Sequence, residues 1–424
     1  MTREHTRSDY NRPTRVDLFV LTVFVLVYAG MMLGELPGLA LDRSGIALLG
    51  AIALLAGGRL TLQEAWTAVD ASTIALLFGL MVLSAQFRLG GFYTEVVRRI
   101  AARAGGPGSL LLWVVLAAGL LSALLANDIV CLAMTPILVE VCARRRLSPV
   151  PFLLALACAS NVGSAATLIG NPQNMLIGQS LRLPFAGYLL DGGPPAVLGL
   201  LATWWIIGRQ WRGRWDAGGQ PPIGNHIDPP FDRWQTLKGL AMLAGLVLAF
   251  VFAPWPREVV ALGAAGVLLL SRRMASREMI GLVDWHLLVL FVGLFVLNDA
   301  VQRAGVLRAL FDELAGAGID LADPRWLFAV TVVLSNLVSN VPAVMLLLPA
   351  ATGPHAGAVL ALASTLAGNL IIVGSIANII VVEQASRQGI GIDWRRHARA
   401  GIPVTISTLG IAAAWLLARS WIAR

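Results

Sequence analysis

Polar and helix-breaking residues in the middle of apolar runs are the first feature of this sequence that could do chemistry. Two groups occur in the first half of the chain: Ser122 with Asn127 and Asp128, and Gly170, Asn171 and Pro172 with Asn174. In hydrocarbon such residues are tolerated only where they face protein or a water-filled cavity. We therefore treat both groups as candidates for a binding site.

The same pattern recurs in the second half of the chain, where its members are Ser335, Ser339, Asn340, Gly374, Ser375 and Asn378. Ser122, Asn127 and Pro136 match Ser335, Asn340 and Pro349 without a gap, and Gly170, Asn171 and Asn174 match Gly374, Ser375 and Asn378. Further matches join Asp70 and Gly79 to Asp284 and Gly293, and Phe185, Gly192 and Pro194 to Trp394, Gly401 and Pro403. So many matched polar and breaker positions indicate an internal repeat.

Broken helices offer two kinds of ligand. Free N–H groups at the amino terminus of a half-helix attract an anion, while unwound carbonyls and the oxygens of Ser and Asn coordinate Na⁺. The pattern predicts one Na⁺ position at Ser122, Asn127 and Gly170 and a second at Ser335, Asn340 and Gly374. Helix packing is the alternative for any single residue of this kind. That alternative stays open for Thr135, Ser160, Asn161, Ser364 and Asn369.

Asp128 has no acidic counterpart, because the second half carries Val341 at the matched position. An ionisable group on one side of a repeated site could bind a cation or carry a proton. The alternative is that Asp128 caps the helix that follows it. The sequence leaves both interpretations open.

The composition places the chain in a membrane. Of its 424 residues 57% are hydrophobic and 13% charged, with a mean hydropathy of +0.75, whereas soluble domains carry about 25% charged residues. The net charge of +8 comes from arginines clustered between apolar runs, a pattern typical of membrane topology rather than of nucleic-acid binding. We expect a multi-pass membrane protein, with a first apolar run from Val16 to Gly34 that is retained as a helix.

Enzyme chemistry finds little support in the sequence. The histidines are isolated and have no metal-ligand spacing such as HExxH, and no nucleophile elbow or phosphate-cradling loop occurs. We predict no cofactor other than a coupling ion, Na⁺ or H⁺. The cysteines, which lie in or beside apolar segments, are expected to be small buried hydrophobes, with ligation of a thiophilic metalloid as a minor alternative. They are Cys131, Cys142 and Cys158.

The elements that position these residues form an all-α polytopic fold made of two inverted repeats with five transmembrane helices each. The first repeat spans 1–208, a hydrophilic connector spans 209–235 and the second repeat spans 236–424. Each repeat contains a re-entrant hairpin, at 110–142 and 326–350, and a broken helix, at 150–179 and 357–385. The arms of the first hairpin are too short for two full crossings, and an odd number of crossings inverts the second copy.

Charge patterning gives an orientation and one surface helix. Placing most arginine clusters in the cytoplasm puts both chain ends outside, and the basic tail with Arg3, Arg7, Arg12 and Arg15 opposes this orientation. Between Phe92 and Ala104, the side chains of Phe92, Val96 and Ile100 recur at helical spacing opposite charged residues. This spacing predicts an amphipathic helix along the membrane surface.

The motifs resemble those of the ion transporter superfamily, which includes citrate-transporter-like anion permeases, divalent anion/sodium symporters, arsenite permeases and sodium/proton antiporters. The resemblance covers nearly the whole chain and is carried by Ala126-Asn127-Asp128, Thr167 to Asn174, Ser339-Asn340-Val341-Pro342 and Gly374 to Asn378. Sodium-coupled dicarboxylate members have Ser-Asn-Thr at each hairpin tip. Here the tips read Ala-Asn-Asp and Ser-Asn-Val, a departure that does not support dicarboxylate binding.

The resemblance implies a homodimer with a scaffold and a transport unit that moves like an elevator. It also implies secondary active transport of a small inorganic oxyanion or carboxylate, coupled to Na⁺ or H⁺. Arsenite or antimonite efflux, or Na⁺/H⁺ antiport with Asp128 as coupling residue, is the second hypothesis. The expected partners are therefore a small anionic or metalloid solute and the lipid bilayer, with no nucleic acid.

Overall fold

The computed structural model describes residues 17–34, 41–103, 105–216 and 230–422. Within these ranges the chain is helical, without a named strand, and its isolated β-bridge joins Leu147 to Asp216. The helices are α1 (Leu18–Leu33), α2 (Arg43–Ala56), α3 (Leu62–Ala68), α4 (Ala71–Leu89), α5 (Phe92–Arg103), α6 (Pro107–Leu124), α7 (Asn127–Arg144), α8 (Val150–Ser164), α9 (Pro172–Ser180), α10 (Phe185–Gln210), α11 (Arg233–Phe252), α12 (Arg257–Leu269), α13 (Ser276–Gly281), α14 (Trp285–Arg303), α15 (Val306–Gly316), α16 (Pro324–Val338), α17 (Asn340–Leu347), α18 (Ala356–Ala367), α19 (Ile376–Arg387) and α20 (Trp394–Ile422).

Six helices of the described part, α4, α6, α10, α11, α14 and α20, are long and apolar enough to cross a membrane. Shorter apolar helices of 10–17 residues accompany them. The predicted all-α polytopic fold class is therefore confirmed. The basic tail with Arg3, Arg7, Arg12 and Arg15, Val16 at the start of the first apolar run, and positions 217–229 of the connector lie outside the described residues.

Local sequence signals explain where these helices begin. Asp70 caps α4, since its Oδ1 accepts hydrogen bonds from the backbone N–H groups of Ser72 at 3.0 Å and Thr73 at 3.1 Å. Asp284 stands at the matched position before α14 and accepts from Leu287 N at 3.0 Å. A helix begins with unsatisfied N–H groups, and a carboxylate oxygen there both accepts from them and complements the helix dipole.

The chain divides into two compact units, of which the smaller comprises Met1–Val69 and Val289–Asp320. In this unit α14 packs closely on α2, because a Cβ added to Gly293 would lie 2.7 Å from the Ala47 carbonyl carbon. Tyr28 donates to Asn298 Oδ1 at 3.4 Å in its interior. At its surface Arg303 forms an ion pair with Glu64 at 2.8 Å.

The larger unit comprises Asp70–Leu288 and Leu321–Arg424. In this unit α4 packs on α12 through Gly79, where a Cβ would lie 2.7 Å from the Ala261 carbonyl carbon. The interval in sequence from Gly79 to Gly293 equals the interval from Ala47 to Ala261. The same close contact thus occurs at matched positions, which supports the interpretation of a repeat, while the inversion of the second copy stays a prediction.

The breaks in the larger unit fall inside the predicted hairpins and broken helices. The first hairpin region turns at Leu125 and Ala126 between α6 and α7, and the second at Ser339, whose φ is 78°. Extended or irregular backbone separates α8 from α9, and likewise α18 from α19, with a 3₁₀ turn at Ile372–Gly374. The depth of these hairpins in a bilayer and the exact limits of the two repeats stay predictions.

The buried face of helix α5 differs from the apolar face that the sequence spacing predicts. Its buried side chains are Tyr93, Val97 and Ile100, together with Thr94, and the helix packs against α6 and α7. Phe92 and Val96, which the spacing assigned to the apolar face, are only partly buried. The buried face is thus displaced by one position, from Phe92 and Val96 to Tyr93 and Val97. Ala104 lies outside the described residues.

Candidate functional site

Asn161 of α8 lies at the centre of a polar cluster in the larger unit. Its Nδ2 donates to Asn369 Oδ1 at 2.8 Å and to Asn378 Oδ1 at 3.1 Å, and its Oδ1 accepts from Ser375 Oγ at 2.8 Å. All four residues are almost fully buried. An amide can be satisfied in this way because it both donates and accepts, and the cluster therefore joins the two halves of the chain.

Thr365 of α18 takes the matched place in the second half. Its Oγ1 donates to Asn174 Oδ1 at 3.2 Å and accepts from Asn171 Nδ2 at 3.1 Å. The interval from Asn161 to Thr365 is the one that separates Gly170 from Gly374. Each half therefore extends one polar side chain to the broken helix of the other half.

Asn174 and Asn378 each donate side-chain hydrogen bonds to backbone carbonyls at one of the two helix breaks. Asn174 Nδ2 donates to Ser164 O at 3.3 Å and to Thr167 O at 3.0 Å. Asn378 Nδ2 donates at the matched carbonyls, to Gly368 O at 2.7 Å and to Ile371 O at 3.2 Å. These carbonyls lose their helical partners at the break, and a buried carbonyl without a donor is costly.

We expect Asn378→Ala to lower the thermal unfolding midpoint of the purified protein by several degrees. The variant removes the two hydrogen bonds that Asn378 donates and the one that it accepts from Asn161, and it leaves Gly368 O and Ile371 O short of donors, at a cost of about 1–3 kcal/mol for each buried group. The matched control is Thr405→Val, because the buried Thr405 hydroxyl has no hydrogen-bond partner among the described residues. Equal midpoints for the two variants would contradict this assignment.

Tyr188 and His397 each contact a backbone carbonyl oxygen at one of the two helix breaks. The Tyr188 hydroxyl donates to Ala165 O at 2.9 Å, and His397 Nε2 lies 3.1 Å from Asn369 O. A carbonyl only accepts, so Nε2 of His397 carries a proton. The sequence analysis missed this pair because the two residue types differ, although they are separated by the same interval as Phe185 and Trp394.

The predicted hairpin tips lie beside the unwound loops. Asn127 N donates to Gly170 O at 3.2 Å, and Asn127 Nδ2 donates to Asn161 Oδ1 at 3.4 Å. With its amide nitrogen turned toward the loop, Asn340 donates to Gly374 O at 3.2 Å and to Ser364 O at 3.0 Å. In both halves, a tip asparagine therefore contacts the glycine predicted to share its cation position.

Buried oxygens without partners occur at both predicted Na⁺ positions. In the first, Asn127 Oδ1 accepts no hydrogen bond from the described residues. Ser122 of the same group donates to Ser160 Oγ at 3.2 Å. Neutral oxygen ligands of this kind suit a hard cation, and a buried polar atom without a partner calls for one.

The second predicted position has two such oxygens, Ser335 Oγ and Asn336 Oδ1, again with no partner in the described part. A Cβ on Gly374 would lie 3.0 Å from Asn336 Oδ1. The sequence analysis missed Asn336 because the matched residue in the first half is Ala123. The described residues contain no cluster of three or more His, Cys, Asp or Glu that could hold a transition metal.

Asp128 stands apart from the asparagine cluster. The residue before α7 is Ala126, which makes no side-chain cap, and Asp128 itself makes no capping hydrogen bond. Instead, Asp128 and Asp284 line one cavity of about 20 Å³ whose walls include Leu77 and Met81. Such a volume holds about one water molecule. The capping interpretation is thus not observed, and the acidic pair was not visible in the sequence.

The other predicted site residues shape the starts of the half-helices. Asn171 caps α9 by accepting from Asn174 N at 2.9 Å, and Pro172 is the first residue of that helix. Ser375 precedes α19, and Ser339 occupies the positive-φ position before α17. Proline suits the first turn because it lacks the N–H that would be unsatisfied there.

Comparison with known proteins agrees with this architecture. A family model described as a citrate transporter matches residues 19–367. The inner membrane protein YbiR of Escherichia coli (strain K12) is 31% identical over 79% of this chain and 85% of its own length. The silicon efflux transporter LSI3 of Oryza sativa subsp. japonica is 27% identical over 89% of this chain and 93% of its own.

A solved structure gives the same fold at greater distance in sequence. The YdaH transporter of Alcanivorax borkumensis superposes with a TM-score of 0.57, covering 97% of this chain and 98% of that one at 17% identity. At this identity the likeness concerns the fold alone. The chain therefore belongs to the citrate transporter family of the ion transporter superfamily and is a multi-pass transporter of the bacterial inner membrane.

Proposed function

We propose that the protein is a secondary active transporter that moves a small inorganic oxyanion or carboxylate, coupled to Na⁺ or H⁺, by alternating access of an elevator type. In this mechanism the larger unit carries the bound solute. We also propose that it acts as a homodimer and without enzymatic activity. The observation that carries the proposal is the meeting of four helix amino termini at one buried polar cluster.

These amino termini belong to α7, α9, α17 and α19. Asn127 and Ser375 bring the first and last of them to Asn161, and Asn171 brings α9 to Thr365. Asn340 ties α17 to the Gly374 carbonyl. Each terminus carries about half a positive charge from its helix dipole, so together they favour an anion.

The side chains of the cluster favour a small, oxygen-rich solute. They are amides and hydroxyls, which exchange hydrogen bonds with oxygen atoms without the cost of a buried charge. No arginine or lysine occurs among the cluster residues named above, so a large multivalent anion would lack counter-charges. The rice relative is named for silicon efflux, and hydroxylated silicon compounds belong to this size class of solute.

The coupling ion is proposed from the unpartnered oxygens. Asn127 Oδ1 in the first half and Ser335 Oγ with Asn336 Oδ1 in the second would complete Na⁺ shells. A bound anion attracts both the Na⁺ and the positive helix amino termini, and so offsets the repulsion between them. Solute and Na⁺ would then bind more tightly together than alone, which is the requirement for coupled transport.

The direct experiment uses purified protein in liposomes with imposed Na⁺ or pH gradients. Solid-supported-membrane currents and tracer flux are recorded for phosphate, sulfate, arsenite, silicic acid and citrate. We expect one small oxygen-rich solute to give gradient-dependent flux. Flux that needs neither gradient would contradict secondary active transport, and formation of a chemically altered product would favour an enzyme.

A second candidate function rests on Asp128 and Asp284, which share one small cavity in the larger unit. Two carboxylates that line one small cavity can bind a cation or share a proton. This arrangement favours metalloid efflux or Na⁺/H⁺ antiport with Asp128 as the coupling residue. Everted vesicles that change their internal pH on addition of Na⁺ alone, without response to any solute, would support this candidate against the first.

For this candidate, we expect Asp128→Asn to remove the pH response of the vesicles to Na⁺ while the protein stays folded, because the amide cannot bind and release the proton. The matched control is Asp312→Asn, which changes an exposed aspartate on α15. Vesicle fluorescence with a pH-sensitive dye measures both variants. An unchanged response in Asp128→Asn would exclude Asp128 as the coupling residue.

A further inference from the structure

A strongly basic cavity lies in the larger unit where α10 ends and α20 begins. Its volume is about 700 Å³, and its lining includes Arg214, Arg396 and Arg399 together with Trp211 and Gln210. Gln210 Nε2 donates to Arg399 O at 2.7 Å, which fixes the two helix ends together. None of these residues belongs to the asparagine cluster or to the acidic cavity.

The positive charge of this cavity is not neutralised within the described part of the chain. Arg214 and Arg396 donate to the carbonyls of Gln210 and Gly391, and none of the three lining arginines forms an ion pair with a described acidic side chain. Asp393 is nearby, but its Oδ1 accepts from the backbone N–H of Arg396 at 2.7 Å. Three guanidinium groups therefore remain available for an anion.

A polar atom also lacks a partner in this cavity. Gln210 Oε1 is buried and accepts no hydrogen bond from the described residues. A buried acceptor calls for a donor, and a hydroxyl of a bound molecule would supply one. The cavity thus presents both cationic groups for a phosphate and an acceptor for a hydroxyl.

A second cavity on the same stretch of chain is rich in tryptophan. Its volume is about 280 Å³, and its lining includes Trp204, Trp205 and Trp215 with Arg209 and Arg212. The guanidinium carbon of Arg209 lies 5.8 Å from the Trp205 ring centroid. Indole rings beside arginines are typical of the boundary between the head groups and the acyl chains of a bilayer.

An exposed apolar row runs from this cavity along α10. Val197, Leu201 and Trp205 recur at intervals of one helical turn and are 59%, 45% and 60% exposed. Such a row offers a surface for an acyl chain, whereas a soluble anion would gain nothing from it. The row ends at the cavity that contains Arg209 and Arg212.

We propose that the first of these cavities binds the head group of an anionic phospholipid, with its phosphate on Arg214, Arg396 and Arg399 and a head-group hydroxyl on Gln210, while the tryptophans and the exposed apolar row place this end of α10 at the lipid boundary. Guanidinium groups bind phosphate oxygens in pairs. Basic pockets between transmembrane helices on the cytoplasmic side suit phospholipids with one or two phosphates. The predicted orientation places these arginines on that side.

The test compares Arg396→Gln/Arg399→Gln with a control that loses the same charge, Arg272→Gln/Arg277→Gln, whose exposed arginines line neither cavity. Each protein is purified from nanodiscs that contain equal amounts of phosphatidylglycerol, cardiolipin and phosphatidylcholine, and retained lipid is measured by native mass spectrometry. One arginine near the surface contributes about fivefold to the binding of an anionic lipid. We expect the first variant to retain at least about tenfold less anionic lipid and the control to match the wild type.

A second experiment distinguishes binding of a lipid from binding of a soluble anion. Delipidated wild-type protein in detergent is melted with cardiolipin, with phosphatidylcholine and with inorganic phosphate. We expect cardiolipin alone to raise the unfolding midpoint and Arg396→Gln/Arg399→Gln to abolish the rise. Equal protection by inorganic phosphate, or equal retention of anionic lipid by this variant and the wild type, would overturn the proposal.

Discussion

Alanine in place of Asn127 or Asn340 is expected to reduce coupled uptake strongly at limiting Na⁺ while the protein still folds. Each asparagine is the first residue of a helix and is buried beside an unwound loop. Asn127 Oδ1 has no partner within the described residues, so its removal costs the fold little. Its proposed partner is the coupling ion, and losing a hydrogen bond or ligand to a charged group costs about 1.5–3 kcal/mol.

That free energy corresponds to a coupling-ion affinity weakened roughly tenfold to hundredfold. Initial uptake at limiting Na⁺ should fall by at least about tenfold in each variant. The measurement is tracer flux into liposomes as a function of external Na⁺. Removing Asn127 should affect the Na⁺ dependence most, because its side chain makes a single long hydrogen bond of 3.4 Å within the protein.

The controls for these variants are Thr135→Ala on α7 and Thr331→Ala on α16. Both hydroxyls are buried and donate within their own helices, Thr135 Oγ1 to Cys131 O at 2.7 Å and Thr331 Oγ1 to Leu327 O at 2.6 Å. Losing such a bond leaves no group of another element unpaired, so both controls should transport normally. Normal transport by Asn127→Ala and Asn340→Ala as well would remove these residues from the site.

Gly170→Ala is expected to destabilise the protein strongly, and more than alanine at the matched glycine of the second half. A Cβ at Gly170 would lie 2.4 Å from Ser164 O and 2.7 Å from Ser122 O. Both neighbours are backbone atoms, so relief requires a shift of α6 or of the end of α8. Overpacking against a fixed backbone costs about 1–3 kcal/mol or more, and here it would also displace the carbonyl that accepts from Asn127 N.

The matched variant Gly374→Ala should be tolerated much better. Its added Cβ would lie 3.0 Å from Asn336 Oδ1, a side-chain atom that can turn away, and 3.3 Å from Gly368 O. A further control, Gly266→Ala on α12, meets no atom within 4 Å and should stabilise by up to about 1 kcal/mol through helix propensity. Unfolding midpoints in detergent measure all three. Equal midpoints for Gly170→Ala and Gly374→Ala would contradict the packing described for α6 and α8.

Much of the site could be predicted from sequence because its markers are rare in apolar surroundings. Asn127, Gly170, Asn340 and Gly374 are polar or helix-breaking residues within long apolar runs, and membranes tolerate such residues only for a reason. The structure places each tip asparagine next to the glycine of its own half. Whether these residues bind ions or solute stays a prediction.

The residues that the sequence did not single out are those whose partners lie far away in the chain. Asn161 was left open as a packing residue, and Thr365 was not named, yet each bonds to the broken helix of the other half. The unpartnered oxygen of Asn336 and the cavity shared by Asp128 and Asp284 were also invisible. A repeat comparison overlooks such residues because their counterparts differ in type.

The sequence by itself determined the membrane class, the family and the positions of the breaks, because hydropathy and helix-breaking are properties of short segments. Only the tertiary structure decided that Asn161 meets Asn378 and that Thr365 meets Asn174. These pairs depend on how helices of the two halves cross. A crossing is set by close contacts between backbones, such as Gly79 on Ala261, where a Cβ would lie 2.7 Å from the carbonyl carbon, and no local pattern records such contacts.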